Sequence, residues 1–306
     1  MQKRVYEKGE LNRLFVVNKP MFISSNFYLN RFKRAFKNKK AGFSGTLDPF
    51  ATGCLIVAFG QYAKLFQYLK KTPKTYQAVI WLGVTSESYD IERIFDINFV
   101  DRFDENFLKN ELKKLKGKIN YIPPKFSAKK INGMKAYELA RQNEDFELKK
   151  STMEVFDIKF LKYNHPFISF EVSVSEGSYI RSLAQIFLEN ISSIGTLSYL
   201  KRVSEGQFKF ENHKELNPLE YLDLEKNIYS GTQEWLEFGK KIRIEYLEKK
   251  KSGKYIIELD DFFSIIEIVE NEVKYILNKI PKLKENNGWK IICKNKYIFK
   301  NSWNKR

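Results

Sequence analysis

Histidine and cysteine are scarce in this chain: its 306 residues carry two of each. His165, His213, Cys54 and Cys293 share no motif. That scarcity argues against a disulfide framework, a zinc cluster, and Ser-His-Asp or Cys-His nucleophilic chemistry. Long apolar runs are missing too, and no stretch approaches the ~20 residues a helix needs to cross a bilayer. Met1 to Glu10 is charged and has no signal-peptide core. Internal repeats, low-complexity linkers and a glycine-rich nucleotide loop are absent. These absences predict a cytoplasmic, soluble protein without metal or cofactor. Any chemistry must then come from Asp, Glu, Tyr, Lys or Arg.

What the chain does have is apolar mass and positive charge. Hydrophobic residues make up 43%, with 26 Phe and 17 Tyr, enough to bury a core. The length is more than one core usually needs, which predicts two domains. Lys and Arg number 54 against 37 Asp and Glu, a net charge of +17. A globular protein this basic attracts a polyanion: nucleic acid first, an anionic membrane surface second.

Periodicity predicts an α+β protein with several long strands and few βαβ units. Strands are expected at Leu14 to Val17, Cys54 to Phe59, Lys74 to Val84, Val155 to Lys162, Phe167 to Ser175 and Val203 to Phe210. Helices are expected at Asn26 to Asn38, capped by Ser24 or Ser25, and at Gln61 to Lys70, Glu105 to Leu115, Met134 to Gln142 and Tyr179 to Leu188. Phe32, Ala35 and Phe36 suit the buried face of the first helix. Arg31, Lys33, Arg34, Lys37, Lys39 and Lys40 make it strongly basic. Gly117 to Lys130, with Pro123-Pro124, reads as irregular. Composition shifts near residue 235, which predicts a larger domain over 1–235 and a small basic C-terminal domain over 236–306. In the latter, Tyr255 to Leu259, Phe263 to Val269 and Val273 to Leu277 read as short strands, with a turn at Glu270-Asn271-Glu272.

The most informative stretch is Gly45-Thr46-Leu47-Asp48-Pro49-Phe50-Ala51-Thr52-Gly53. The two glycines permit tight turns, and Pro49 pushes the backbone of Asp48 toward the extended region. Such a loop can lift a carboxylate out of a sheet, although an acid in a turn is ordinary when it stands alone. A second segment, Glu176-Gly177-Ser178-Tyr179-Ile180-Arg181, ends a strand and places Arg181 on the first turn of a helix. An arginine there can hold a carboxylate ionised in a shielded cleft, or it can simply lie on the surface. Lys74-Thr75-Tyr76 opens a strand with a tyrosine, which suits core packing or stacking on an exposed base.

Taken in order, these segments resemble the TruB-type tRNA pseudouridine synthases of bacteria. The resemblance covers roughly residues 11–210. It rests on Val17-Asn18-Lys19-Pro20 with Ser24-Ser25, on the Gly45 to Gly53 loop, and on Lys74-Thr75-Tyr76. It continues through Pro123-Pro124-Lys125-Phe126-Ser127-Ala128-Lys129-Lys130 with Gly133, Tyr137 and Ala140-Arg141, then Gly177-Ser178-Tyr179-Ile180-Arg181 and Leu200-Lys201-Arg202. The resemblance implies the pseudouridine-synthase fold, with a central mixed, mainly antiparallel sheet. It implies isomerisation of uridine 55 in the T-loop of tRNA. Asp48 would be the nucleophile, Tyr76 the residue that stacks on the base and assists proton loss, and Arg181 the partner of Asp48. Leu200 would wall the pocket, Lys19 with Pro20 would support the loop, and Tyr179 would join the substrate site. An arm at about 120–150 would cover the RNA, with Lys129, Lys130 and Lys135 on phosphates. The C-terminal strands are compatible with a PUA-like hairpin pair, and a monomer is expected.

One residue departs from the family pattern. Phe43 stands where these enzymes usually have His, so base capture is expected to rely on its flat face. Two rival readings remain open from sequence: a non-catalytic tRNA-binding or tRNA-folding protein, and a related synthase guided by a separate RNA and partner proteins.

Overall fold

The computed structural model describes residues 12–142 and 144–283; Met1 to Glu10, Cys293 and the end of the C-terminal domain lie outside the described residues. The chain runs β1 (Arg13–Lys19), α1 (Ser25–Ala35), β2 (Ala41–Ser44) and β3 (Thr52–Phe59), then a 3₁₀ segment over Gly60–Tyr68. β4 (Lys74–Leu82), β5 (Val84–Ser86) and β6 (Ile94–Ile97) precede α2 (Glu105–Lys113) and β7 (Gly117–Tyr121). The arm holds β8 (Lys130–Ile131), β9 (Met134–Lys135) and α3 (Ala136–Arg141). β10 (Ser151–Asn164), β11 (Phe167–Val174), α4 (Ile180–Asn190), β12 (Gly195–Glu205) and β13 (Phe208–Lys209) complete the larger body. β14 (Glu225–Lys226), α5 (Gln233–Glu237), β15 (Gly253–Glu258), β16 (Phe262–Val269) and β17 (Glu272–Pro281) follow.

Among the described residues, the large sheet has nine strands in the order β1-β3-β12-β4-β11-β10-β7, with β2 on β3 and β13 on β12. Its pairs are antiparallel apart from β12 with β3. The unbroken apolar run of β3 has a direct cause: both its faces are covered. Leu55, Val57 and Phe59 face one core with Phe15 and Val17 of β1, under α1, α2 and α4. Cys54, Ile56 and Ala58 face a second core with Leu14 and Val16. That second core is closed by Ile256, Phe263, Ile265 and Ile280 of the small sheet β14-β15-β16-β17. The small sheet therefore takes in Glu225–Lys226, upstream of the composition shift near residue 235.

Several expected elements differ, each for a local reason. α1 stops at Ala35 because Lys37 is left-handed (φ 50°), and Asn38 and Lys37 donate back to Lys33 and Arg34, a Schellman stop. Ser24 is the cap, accepting from the Phe27 amide at 3.1 Å. Beside Phe32, the buried face uses Tyr28 and Leu29, while Ala35 and Phe36 are half-buried. Residues 60–68 form 3₁₀ turns, which put Tyr62, Leu65 and Tyr68 on one edge against the second core. The expected helix from Met134 loses its first turn to the β8–β9 hairpin, because Asn132 and Gly133 both take positive φ. Gly117–Tyr121 is an edge strand on β10, not irregular chain. The strand expected from Val203 begins at Gly195, and the chain reverses before Phe208 to form β13. The strand expected to reach Val84 breaks at Gly83 (φ 83°). Glu270 and Asn271 do form the turn between β16 and β17, both with positive φ.

Because one core serves both sheets, damage in the small one should weaken the whole chain. Ile265, fully buried in the shared core, is the test position. Ile265→Ala should lower unfolding free energy by about 2–5 kcal/mol, read as a lower urea midpoint at unchanged slope.

Candidate active site

The loop between β2 and β3 is tied down on both sides of Asp48. Gly45 turns it with φ 59°. Leu47 is buried, and its amide and carbonyl both bond the hydroxyl of buried Ser25, at 3.0 and 2.9 Å. Phe50 and Ala51 are fully buried, and the Ala51 amide donates to the Asp48 carbonyl at 3.1 Å. The Pro49 carbonyl accepts from the Phe22 amide at 2.7 Å and from Lys19 Nζ at 3.2 Å. Lys19 is fully buried and also donates to the carbonyls of Pro20 and Ile23. With Leu47, Phe50 and Ala51 packed down, the Asp48 carboxylate stays 28% exposed and lines the cleft beside Gly45, Thr46 and Leu47.

The carboxylate meets a buried guanidinium. Arg181, on the first turn of α4, is 2% exposed, and its Nη2 lies 2.9 Å from Asp48 Oδ2. Nη2 also donates to the Phe126 carbonyl at 2.8 Å, and Nη1 to the Ser88 carbonyl at 2.7 Å. Nη1 lies 3.4 Å from Asp90 Oδ2. Asp90 in turn accepts from the Ser88 hydroxyl at 2.6 Å and the Glu92 amide at 2.9 Å. Burial pushes the Asp90 carboxyl above its ordinary range, against the pull of Arg181. A guanidinium fixed by two carbonyls and a second acid cannot swing away from Asp48, which it orients.

A second arginine pins the ends of the loop. Gly53 pairs with Arg202 across the parallel contact of β3 and β12. Its φ is 109°, and a Cβ there would stand 2.2 Å from the Arg202 carbonyl oxygen, so only glycine fits. Arg202, 1% exposed, donates from Nε to the Cys54 carbonyl at 2.8 Å and from Nη2 to the Gly45 carbonyl at 2.9 Å. Fully buried Glu205 balances it at 3.4 Å, pairs with Lys74 Nζ at 3.1 Å, and accepts from the Ser44 hydroxyl at 2.9 Å. Tyr76, buried on β4, is in register with Arg202 and hydrogen-bonds its side chain. Burial raises the Tyr76 phenol above its ordinary range, so it is neutral at physiological pH.

Asp48, Tyr76, Tyr179, Arg181, Leu200 and Lys129 line one cleft of about 530 Å³. That volume lies within the range of small-ligand pockets, and its lining mixes charged and polar groups with Leu47, Ala128, Ile180 and Leu200. The Lys129 ammonium donates to Ser151 at 2.7 Å, tying the arm across the cleft. Lys130 and Lys135 are exposed on the β8–β9 hairpin, outside the cleft lining. Phe43 is half-buried on β2, packed on the main core and also outside the cleft lining. Lys19 lies beneath the loop rather than in the cleft. Sequence reasoning missed Asp90 and the Ser25 clasp. It quoted Lys74 and Arg202 without seeing that they and Glu205 form one buried cluster.

Comparison with known proteins shows the family to which the chain belongs. A family model described as "TruB family pseudouridylate synthase (N terminal domain)" matches residues 33–180. A tRNA pseudouridine synthase B of Sulfurovum sp. (strain NBC37-1) is 53% identical over 275 residues, covering 90% of this chain and 99% of that protein. The tRNA pseudouridine synthase B of Campylobacter jejuni strain 81-176 is 52% identical over 272 residues, covering 89% of this chain and 100% of its own length. The chain belongs to the TruB family. Its fold is the pseudouridine-synthase fold, with a small C-terminal β module. The chain in a solved Cbf5-Nop10-Gar1 complex shares that fold at TM-score 0.60 and 18% identity, over 88% of this chain and 84% of that one. The large sheet, the arm and the 45–53 loop are thus described on a TruB-family chain.

Lys19 gives this site a pH signature. Burial lowers its pKa from 10.5 to about 8. A lysine that holds its proton less tightly when folded destabilises the fold below the lower value, and that penalty fades as pH rises from about 8 to 10.5. Wild type should therefore gain stability relative to Lys19→Met between pH 8 and pH 10, in urea melts at constant ionic strength.

Proposed function

We propose that this protein isomerises uridine 55 in the T-loop of tRNA to pseudouridine, with Asp48 as the nucleophile. The observation that carries the reading is the 2.9 Å pair between Asp48 and a 2% exposed Arg181, inside a cleft with room for an extruded nucleotide. The net charge of +17 suits a polyanionic substrate, and Lys130 and Lys135, exposed on the arm at about 120–150, are with Lys129 at the cleft the proposed phosphate contacts.

The reaction breaks the bond between C1′ and N1, rotates the uracil, and forms a bond between C1′ and C5. The proton on C5 is lost and N1 gains one, so the change is redox-neutral and adds no water. The target base must first leave its stack, at a cost of a few kcal/mol, which stacking on Tyr76 and phosphate contacts offset. Asp48 attacks through a carboxylate oxygen, and Arg181 pairs with it and aims it. Leu200 supplies the apolar wall, Tyr179 a second ring beside the base, and Lys19 the rigidity of the loop. Tyr76 stacks on the uracil and is our candidate for assisting proton loss, a role that needs its phenolate, toward which the bonded Arg202 guanidinium pulls it against the effect of burial. Phe43 contributes a flat face to the captured RNA loop from the rim.

We take the protein to act as a monomer in the cytoplasm, where tRNA is found. The proposed division is a catalytic body over 1–235 and a basic, PUA-like module over 236–306, to which the body lends β14. No metal or cofactor enters the proposal.

Tritium release from a C5-labelled tRNA transcript reports the loss of the C5 proton. Wild-type protein should release it, and Asp48→Asn should fall to background while still binding the transcript; release at the wild-type rate by that variant would sink the assignment. Arg181→Ala should slow release far more than it weakens binding.

Asp90→Asn removes a charge behind Arg181 without touching the RNA. It should slow single-turnover release by roughly ten-fold or more, as expected for one charge-assisted contact, at near-normal tRNA affinity. A variant that loses affinity instead would place Asp90 in RNA binding.

A further inference from the structure

Phe22 combines two features that a packing role does not call for. Its backbone is left-handed, with φ 62°, a conformation that a bulky side chain rarely adopts and glycine takes freely. Its side chain is nonetheless 55% exposed and lies outside all three buried core clusters.

The surroundings enforce that conformation. The Phe22 amide donates to the Pro49 carbonyl at 2.7 Å. Lys19 Nζ ties the carbonyls of Pro20 and Ile23, on either side of Phe22, to the same Pro49 carbonyl. A strained, over-determined residue bonded to the loop that carries Asp48 is the pattern seen at functional sites. Just beyond it, α1 presents exposed Phe27 with the Arg31 guanidinium 5.4 Å over its ring, and then Lys33 and Arg34. Phe22 thus joins the catalytic loop to a basic, aromatic helix surface.

We propose that Phe22 is a substrate-binding residue whose ring stacks on an unpaired base of the RNA loop beside the target uridine. Arg31 and Arg34 take phosphates of the same strand. The inference rests on the isomerase reading above and adds a contact outside the uracil cleft. Bases splayed from RNA loops seek flat apolar faces, and an exposed phenyl ring fixed by its own backbone offers one with little ordering left to do.

The test uses the full chain and a T-arm-containing tRNA transcript, with Kd from filter binding and KM and kcat from tritium release. Phe22→Gly should melt no lower than wild type, because the strain is relieved, yet raise Kd and KM about ten-fold with a much smaller change in kcat. Phe22→Leu keeps the apolar bulk and the strain but loses the flat face, and should bind as weakly as Phe22→Gly. Phe22→Tyr should restore wild-type binding. Wild-type Kd in Phe22→Gly and Phe22→Leu would overturn the proposal, and so would unchanged Kd together with loss of a dimer in light scattering. Absence of tritium release from wild type would instead refute the isomerase reading, while the Kd series would still decide the role of Phe22.

Discussion

The contact of Gly53 with Arg202 is the constraint on which the rest of the site depends. It is the parallel join in an otherwise antiparallel sheet, and it seats β12 between β3 and β4. A side chain on residue 53 would push the Arg202 peptide away, and with it the guanidinium that bonds the carbonyls of Gly45 and Cys54. Both ends of the Asp48 loop and the strand behind the cleft are therefore set by one close approach. Tyr76 follows from the same contact, because it is in register with Arg202 on the other side of β12.

The two buried arginines divide the work. Arg202 acts on the backbone, with the Glu205 carboxylate shared between it and Lys74 inside the sheet. Arg181 acts on the carboxylate, with Asp90 behind it and the arm's Phe126 carbonyl beside it. Removing one partner of a buried ionic group leaves the other uncompensated, a loss of several kcal/mol, so neither cluster tolerates a single neutral substitution well. The arm is part of this electrostatic arrangement and not only a cover, since it supplies an acceptor to the guanidinium that holds Asp48.

Much of the fold was legible where burial imposed a simple pattern. β3 was plain because both its faces are covered, and the turn at Glu270-Asn271 because short polar residues mark it. β12 was only partly legible, because bulges between Leu197 and Tyr199 and between Arg202 and Ser204 break its alternation. β7 was missed because Gly117-Lys118-Ile119-Asn120-Tyr121 has little intrinsic preference for a strand; its pairing with Ser151–Val155 supplies what propensity lacks. The Asn132-Gly133 hairpin carried a clear signal that the helical reading of the next residues obscured.

The sequence by itself determined the chemistry-bearing residue types and their order: an acid between two glycines, a tyrosine opening a strand, an arginine opening a helix, and an excess of positive charge. Those are local facts, written in turn and cap preferences that need few neighbours. Tertiary structure alone decided that Asp90 stands behind Arg181, that Ser25 clasps Leu47 rather than capping α1, and that Phe22 is held left-handed against Pro49. Each is a contact between segments distant in the chain, set by sheet register and loop packing, and no spacing along the sequence encodes which of many polar residues will meet there.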